Sequence, residues 1–289
     1  MFYICINYLN MKRKIVVIFC LFVTQFCYGQ FKTNTELGVQ TGVMYYLGDL
    51  NKCDGCISGG HFQESKPFIS LNYKQNIDKR VSYRANILLG QISGDDRLEN
   101  RDSLSKARGL HFKSNIYELS GNVEFNFLPY ELGNPRYKWT PYLFSGLSMF
   151  YFNPQAENAN GEWVDLQPLS TEGQGTTSFP DRKKYRLAQF AIPIGGGFKF
   201  SLNKVSNIII EYSFRKTFTD YLDDVSTTYP GENVLRPEFG NESVYMSDPT
   251  GNFNAGDQRG NSEKNDWYSY LGITISFKLN DNNKGCDYE

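Results

Sequence analysis

Between residues 116 and 128 apolar and polar positions alternate one by one. Tyr117, Leu119, Val123, Phe125 and Phe127 share a face with Gly121, while Glu118, Ser120, Asn122, Glu124 and Asn126 share the other. Alternation with period two marks a strand whose two faces meet different surroundings. A strand of a soluble sandwich has no need of two glutamates and two asparagines in that order. A barrel wall with lipid outside and water inside does.

The same reading finds seven more strands. Residues 36–47 set Leu37, Val39, Val43, Tyr45 and Leu47 against Glu36, Gly38, Gln40 and Gly42. Residues 66–75 turn Ile69, Leu71 and Tyr73 outward and Ser70, Asn72 and Lys74 inward. Residues 81–92 turn out Tyr83, Ala85, Ile87 and Leu89 against Arg84 and Asn86. Residues 188–200 turn out Phe190, Ile192, Ile194, Phe198 and Phe200. Residues 208–218 set Ile210, Tyr212 and Phe214 against Glu211, Ser213 and Arg215, and 267–277 set Leu271, Ile273, Ile275 and Phe277 against Tyr268, Tyr270, Thr274 and Ser276. Residues 141–152 are apolar on both faces, which leaves their orientation open. Each run is long enough to cross a bilayer as a tilted strand.

Connections alternate in length. Short links at 76–80, 130–137 and 202–206 carry turn residues such as Ile77-Asp78-Lys79 and Gly133-Asn134-Pro135. Long links fall at 51–65, 94–112, 153–185 and 222–264. Short periplasmic turns and long extracellular loops are the asymmetry of outer-membrane barrels. The expected fold is therefore all-β: a transmembrane antiparallel up-and-down β-barrel of about eight strands, with both termini periplasmic. At that strand number side chains fill the lumen. The inward set carries both signs, Glu36, Glu118, Glu124 and Glu211 against Lys74, Arg84 and Arg215, and is read as a buried charge network holding the barrel closed.

Composition fits. Mean hydropathy is only −0.47, yet 22 Phe and 20 Tyr make the chain rich in aromatics, as lipid-facing walls with aromatic girdles require. Lys12, Arg13 and Lys14 precede an apolar run at 15–23, and Gly29 precedes Gln30. A basic stretch, a short apolar stretch and a small residue read as a signal peptide over 1–29, with Met11 as the natural start; the apolar run is too short for a spanning helix. This leaves a barrel over 30–279 and a periplasmic tail over 280–289. Charge is near balance, 30 basic against 31 acidic residues, and losing the leader makes the chain mildly acidic. Nothing in that favours nucleic acid.

Candidate chemistry is sparse. His61 and His111 fall in predicted outer loops and read as solvated, with His111 near Asp95 and Asp96 a thin catalytic candidate. The acidic stretch 220–224 lacks the spacing of an EF-hand and reads as a solvated turn. Gly195-Gly196-Gly197 inside a strand reads as a thinning or bend of the wall. No catalytic residue, metal site, cofactor or small-molecule substrate is expected. Cys53 and Cys56 form a candidate loop disulfide, because export favours pairing. Cys286 in the tail is either an idle thiol or a bridge to a periplasmic partner.

Several segments carry a resemblance: YLGDL at 46–50, SGDD at 93–96, FKSNIYEL at 112–119, NFLPY at 126–130, TPYLF at 140–144, LQPLSTEGQG at 166–175, QFAIPIGGG at 189–197 and FRKTFTDYLDD at 214–224. Together, over about 36–279, they resemble the PorG-like outer-membrane barrels of the type IX secretion system of Bacteroidetes, within the wider DUF6089 family. The resemblance implies a non-enzymatic component that associates with a periplasmic ring of PorK and PorN, and a tail cysteine, Cys286, that pairs with that ring. The Cys53/Cys56 pair and the leader before Met11 are not part of it. The alternative from another class is a structural or adhesin-like surface barrel. The unusual composition of 166–175 and 221–229 predicts loops that fold over the barrel mouth or meet surface partners.

Overall fold

The computed structural model describes residues 33–50, 64–98 and 103–279. The signal peptide, His61, Cys53, Cys56 and Cys286 lie outside the described residues.

Eight long strands make the wall: β1 (Asn34–Leu47), β2 (Lys66–Asn76), β3 (Val81–Asp95), β4 (His111–Asn126), β5 (Trp139–Tyr151), β8 (Ala188–Ser201), β9 (Ser206–Thr217) and β10 (Trp267–Lys278). Each pairs antiparallel with its sequence neighbour in the wall, and β1 pairs β10 to close the cylinder. Two shorter strands, β6 (Pro154–Glu157) and β7 (Trp163–Asp165), form a hairpin. It continues the sheet from the upper end of β4, where Lys113 lies opposite Gln155. Three helices stand in the long connections: α1 (Ser103–Arg108), α2 (Leu166–Leu169) and α3 (Glu232–Ser247), the last broken at Gly240, whose φ of 82° no helix accommodates.

The alternation read from the sequence decides the wall. Along β4 burial alternates without a break from Phe112 to Asn126. Outward aliphatic residues such as Leu71, Ile87, Leu119, Leu147 and Ile273 stand about half exposed around the middle of the wall. Aromatic residues ring both edges of this belt: Tyr73, Tyr83, Phe125, Trp139, Phe200 and Phe277 toward the short turns, and Tyr117, Tyr151 and Phe190 toward the long loops. An apolar band flanked by aromatic girdles is the exterior of a barrel that lies in lipid. An 11-residue strand such as β2 spans about 36 Å at about 3.3 Å per residue, or about 25 Å of thickness when tilted by about 45°.

The strand whose orientation was open is settled by its register. In β5, Thr140, Tyr142, Phe144, Ser148 and Phe150 are buried in the lumen, and Leu143, Leu147, Met149 and Tyr151 face out. One boundary is corrected. The expected loop 94–112 is shorter, because Gly94 pairs with Phe112 and Asp95 with His111, so β3 and β4 rise above the rest of the wall. The expected loop 153–185 likewise contains hairpin β6–β7 and α2. With an even number of wall strands, Asn34 and Leu279 come to the same end, the end of the short turns.

Candidate functional site

The inside of the barrel is filled at three levels. At the level nearest the short turns, Glu36 of β1 meets the Lys74 ammonium at 2.7 Å. Asn76 and Asn207 donate to its two oxygens at 2.6 and 2.8 Å, and Ser276 adds a third bond at 2.9 Å. At the middle level Arg84 of β3 bridges two carboxylates, Glu124 at 3.0 Å and Glu211 at 2.6 Å. Lys199 of β8 binds the other oxygen of Glu124 at 2.6 Å. Tyr142 and Tyr270 both donate to Glu211. At the upper level Arg215 of β9 lies bidentate on Glu118 of β4, and Tyr268 donates to the same carboxylate at 2.7 Å. Thus Glu36, Lys74, Arg84, Glu118, Glu124, Glu211 and Arg215 are all buried in the lumen, and each touches an opposite charge.

Period two dictates this convergence. Once Phe198 and Phe200 face lipid, Lys199 must face the lumen, where it completes four cations against four carboxylates. Sequence reasoning omitted Lys199 although the alternation already placed it. Glycines also shape the lumen. Gly195 and Gly197 point inward on β8, opposite Phe144 and Tyr142. Gly197 in turn lies opposite Glu211 of β9. Tyr142 therefore reaches Glu211 across a strand that has no side chain to stop it. A Cβ on Gly195 would lie 2.6 Å from the Phe144 ring, and one on Gly197 only 2.0 Å from the Ile210 carbonyl. Gly195 and Gly197 leave a gap that inward aromatics occupy, while Gly196 between them faces outward against Leu143.

The mouth is covered by the long loops. Met44, Tyr46, Ile92 and Phe112 of the wall pack with Leu50, Leu110, Phe152, Leu166, Tyr185, Leu222, Val225 and Met246 of the connections in one apolar core. Rings of Phe152, Tyr185 and Tyr221 stack in succession at 6.1 and 4.8 Å. Two buried arginines tie the loops together. Arg108 is bidentate on Asp96, at 2.6 and 2.9 Å, and donates to the Asp49 and Arg259 carbonyls. Arg259 pairs with Glu172 at 3.0 Å and donates to the Asp224 carbonyl. Glu172 also gathers the Ser226 and Thr227 amides at 2.8 and 2.9 Å. None of Asp96, Arg108, Glu172 or Arg259 shows a periodic signal, since all four lie outside the wall strands.

Two sequence expectations fail here. The stretch 220–224 is not a solvated turn: Asp220, Asp223 and Asp224 are buried. Asp223 and Asp266 share the single Tyr46 hydroxyl at 2.6 and 2.8 Å. One hydroxyl proton fills only one of these two contacts, and a proton on either acid completes the other. Burial, reinforced by neighbouring carboxylates, pushes both acids well above the ordinary aspartate range. Burial pushes Asp220 up to about 8 and Asp224 up to about 6, the latter against the pull of Arg259. His111 is not a solvated loop residue either. It begins β4, its Nε2 accepts the Glu157 amide at 3.0 Å, and its ring meets Trp163 edge-on. Among the described residues no group of three or more His, Cys, Asp or Glu forms a metal site.

A family model described as a domain of unknown function, DUF6089, matches residues 12–244. No curated protein matches. Among solved structures, Neisserial surface protein A is 8% identical with a TM-score of 0.41, the match covering 86% of this chain and 99% of that one. The N-terminal barrel of Pseudomonas aeruginosa OprF is 10% identical with a TM-score of 0.36, covering 86% and 100%. OprG of the same organism is 10% identical with a TM-score of 0.37, covering 86% and 98%. These scores are low, and the barrel assignment stands on the strand pairing itself.

Proposed function

The chain belongs to the DUF6089 family, and on that premise we propose that it is an integral outer-membrane barrel that anchors a type IX protein secretion apparatus. In this reading it is a scaffold and not an enzyme. The observation that carries the reading is the filled lumen: four carboxylates and four cations pair across it at three levels, and the loops pack over its mouth. Such an interior has no room for cargo, so the working surfaces are the rims. The short turns and both described chain ends lie at one rim, which is periplasmic in this reading. In this reading Cys286, seven residues beyond Leu279 at that rim, pairs with a ring of PorK and PorN type, while the apolar belt meets outer-membrane lipid.

Deletion of the gene tests this. Export of type IX cargo is expected to stop while the outer membrane stays intact to detergent and dye, and normal cargo secretion in the deletion strain sinks the proposal. One observation favours a second reading, an adhesin-like surface barrel. Most of the structure outside the wall, with α1, α2, α3 and hairpin β6–β7, stands at the long-loop rim, which an anchor for a periplasmic ring does not need. Affinity capture from solubilised membranes separates the two, because an adhesin brings down no periplasmic ring.

A further inference from the structure

On the outside of the barrel, above the upper aromatic girdle, the wall carries a polar cleft of about 460 Å³ that the anchoring role does not use. Its back is the outward face of the raised ends of β3 and β4, where Ser93 lies opposite Lys113 and Asp95 opposite His111. Hairpin β6–β7 supplies the side wall through Trp163. The Lys113 ammonium stands 3.5 Å from the centre of the Trp163 ring, a cation–π contact that orients both groups. Lys66, at the start of β2, and Gln91, which donates to Asn115 at 2.9 Å, complete the lower rim.

The depth of this cleft is fixed by what lies beneath it. On the outward faces of β4 and β3, Tyr117 is four residues below Lys113 and Leu89 two below Gln91, and both are about half exposed in the apolar belt, while Lys66, one residue before the outward Pro67, reaches the cleft from the very start of β2. At about 3.3 Å per residue along strands tilted by about 45°, the cleft begins roughly 5–10 Å above the belt. That is the depth of lipid head groups. The charges are arranged to suit an anion at the lower rim. Of the three carboxylates lining the cleft, Asp95 holds Arg97 at 2.9 and 2.8 Å, Glu64 is buried, and Glu157 stands beside His111 at the upper end, away from the lower rim. Lys66 and Lys113 have no carboxylate within ion-pair distance among the described residues. Beside them, Ser93 level with Lys113, Gln91 on the lower rim and the part-exposed Trp163 offer hydrogen bonds and an apolar ring, the pairing that receives a sugar.

We infer that this cleft binds the phosphorylated sugar head group of an outer-leaflet glycolipid, with the phosphate between Lys66 and Lys113 and a sugar ring against Trp163. The inference rests on the outer-membrane reading above. A simple phosphodiester head group would use the two lysines and leave the rest of a 460 Å³ cleft unfilled. The site lies on the lipid-facing side, so its occupant arrives from within the leaflet and needs no opening of the lumen.

The chain has three tryptophans, so W139F/W267F leaves Trp163 as the sole reporter in the full-length folded barrel. Titration with lipopolysaccharide in detergent micelles is expected to change Trp163 fluorescence saturably. In K66E/K113E the apparent affinity falls at least about tenfold, as loss of two charge-assisted contacts implies. K66Q/K113Q, the milder variant, moves the same way by less. Phosphatidylglycerol and inorganic phosphate are expected to give no saturable change. An equal response to either, or an unchanged affinity in both lysine variants, overturns the inference. Insertion into lipid vesicles is scored on the same preparation. Insertion with no Trp163 response overturns the cleft alone, and failure to insert overturns the outer-membrane reading beneath it.

Discussion

Arg215 and Glu118, 97 residues apart in the chain, face each other across the upper lumen as a bidentate pair, Nε and Nη2 each donating at 3.0 Å to one carboxylate oxygen. Neither side chain has any exposure to solvent. Such a pair contributes little net stability as a pair, because two ions had to be stripped of water to make it. It is costly to break, because the survivor stays buried without a partner. Arg215→Met alone is therefore expected to destabilise the barrel by about 3–5 kcal/mol. The double variant Glu118→Leu/Arg215→Met is expected to recover most of that loss. Urea unfolding in detergent followed by tryptophan fluorescence measures both, and a double variant as unstable as the single one contradicts the pairing account.

The Tyr142–Glu211 contact depends on the missing side chain between them. Gly197→Val puts a Cβ 2.0 Å from the Ile210 carbonyl and methyl groups in the path of the Tyr142 ring. Folding into the heat-modifiable barrel form is expected to fail or to drop severely. Gly121→Ala is the control, since a Cβ there meets nothing within 4 Å. Equal refolding yields for the two variants contradict the gap-filling role of Gly197.

The filled lumen predicts electrical silence. The purified barrel in planar bilayers is expected to show no unitary conductance, and trimming of the loop cap by protease should leave it silent, because the three charge levels lie below the cap. Steady single-channel openings from the intact protein contradict a plugged interior.

The cap is expected to loosen as pH rises. Asp220 and Asp224 have folded values of about 8 and about 6, above the roughly 3.9 of an unfolded aspartate. Asp223 and Asp266 are raised as well. The native cap therefore holds more protons than the unfolded chain, and stability falls as pH climbs from about 4 through the folded values. Arg108, Arg259, Asp49 and Glu172 also face this cluster. Arg108 opposes the acids' shift at Asp223 and Arg259 at Asp224, while Asp49 and Glu172 add to it. Protease cleavage within 218–266, measured between pH 5 and pH 9, should speed up with pH. Asp220→Asn should flatten the upper part of that profile, and a rate that falls with pH contradicts the sign.

Cys286 tests the periplasmic contact. Non-reducing electrophoresis of membranes from cells carrying the secretion apparatus is expected to show a higher-mass adduct that reductant and Cys286→Ser both remove. An adduct that persists in Cys286→Ser assigns the bridge to another cysteine.

The wall was legible because alternation along a strand admits two orientations, and lipid outside with paired charges inside selects one. Glu118 to Asn126 is the clearest case, and the seven charges read from the pattern all lie in the lumen. Where both faces are apolar, as around Tyr142 and Phe144, the pattern is silent and only pairing with β4 and β8 orients the strand. The cap was illegible for a different reason. Asp96, Arg108, Glu172 and Arg259 come from separate connections, and no local period encodes which of them will meet. The buried acids at 220–224 looked solvated because sequence alone does not show that Tyr46, from the far end of the chain, will share its hydroxyl there.

The pairing of β1 with β10 has a consequence for how the protein is made. The first wall strand finds its second partner only when the last one arrives, with Glu36 opposite Lys278 and Leu47 opposite Trp267. Until then two bare edges face each other, each able to recruit a stranger. The latch sits at that seam: Asp266 directly precedes β10 and takes the hydroxyl of Tyr46 on β1. Assembly must therefore be a single late event, in which zipping the final strand and locking the lid happen together. A chain halted before Trp267 would carry nearly all of its lipid-facing surface with no way to close it, a natural substrate for the cell's disposal proteases.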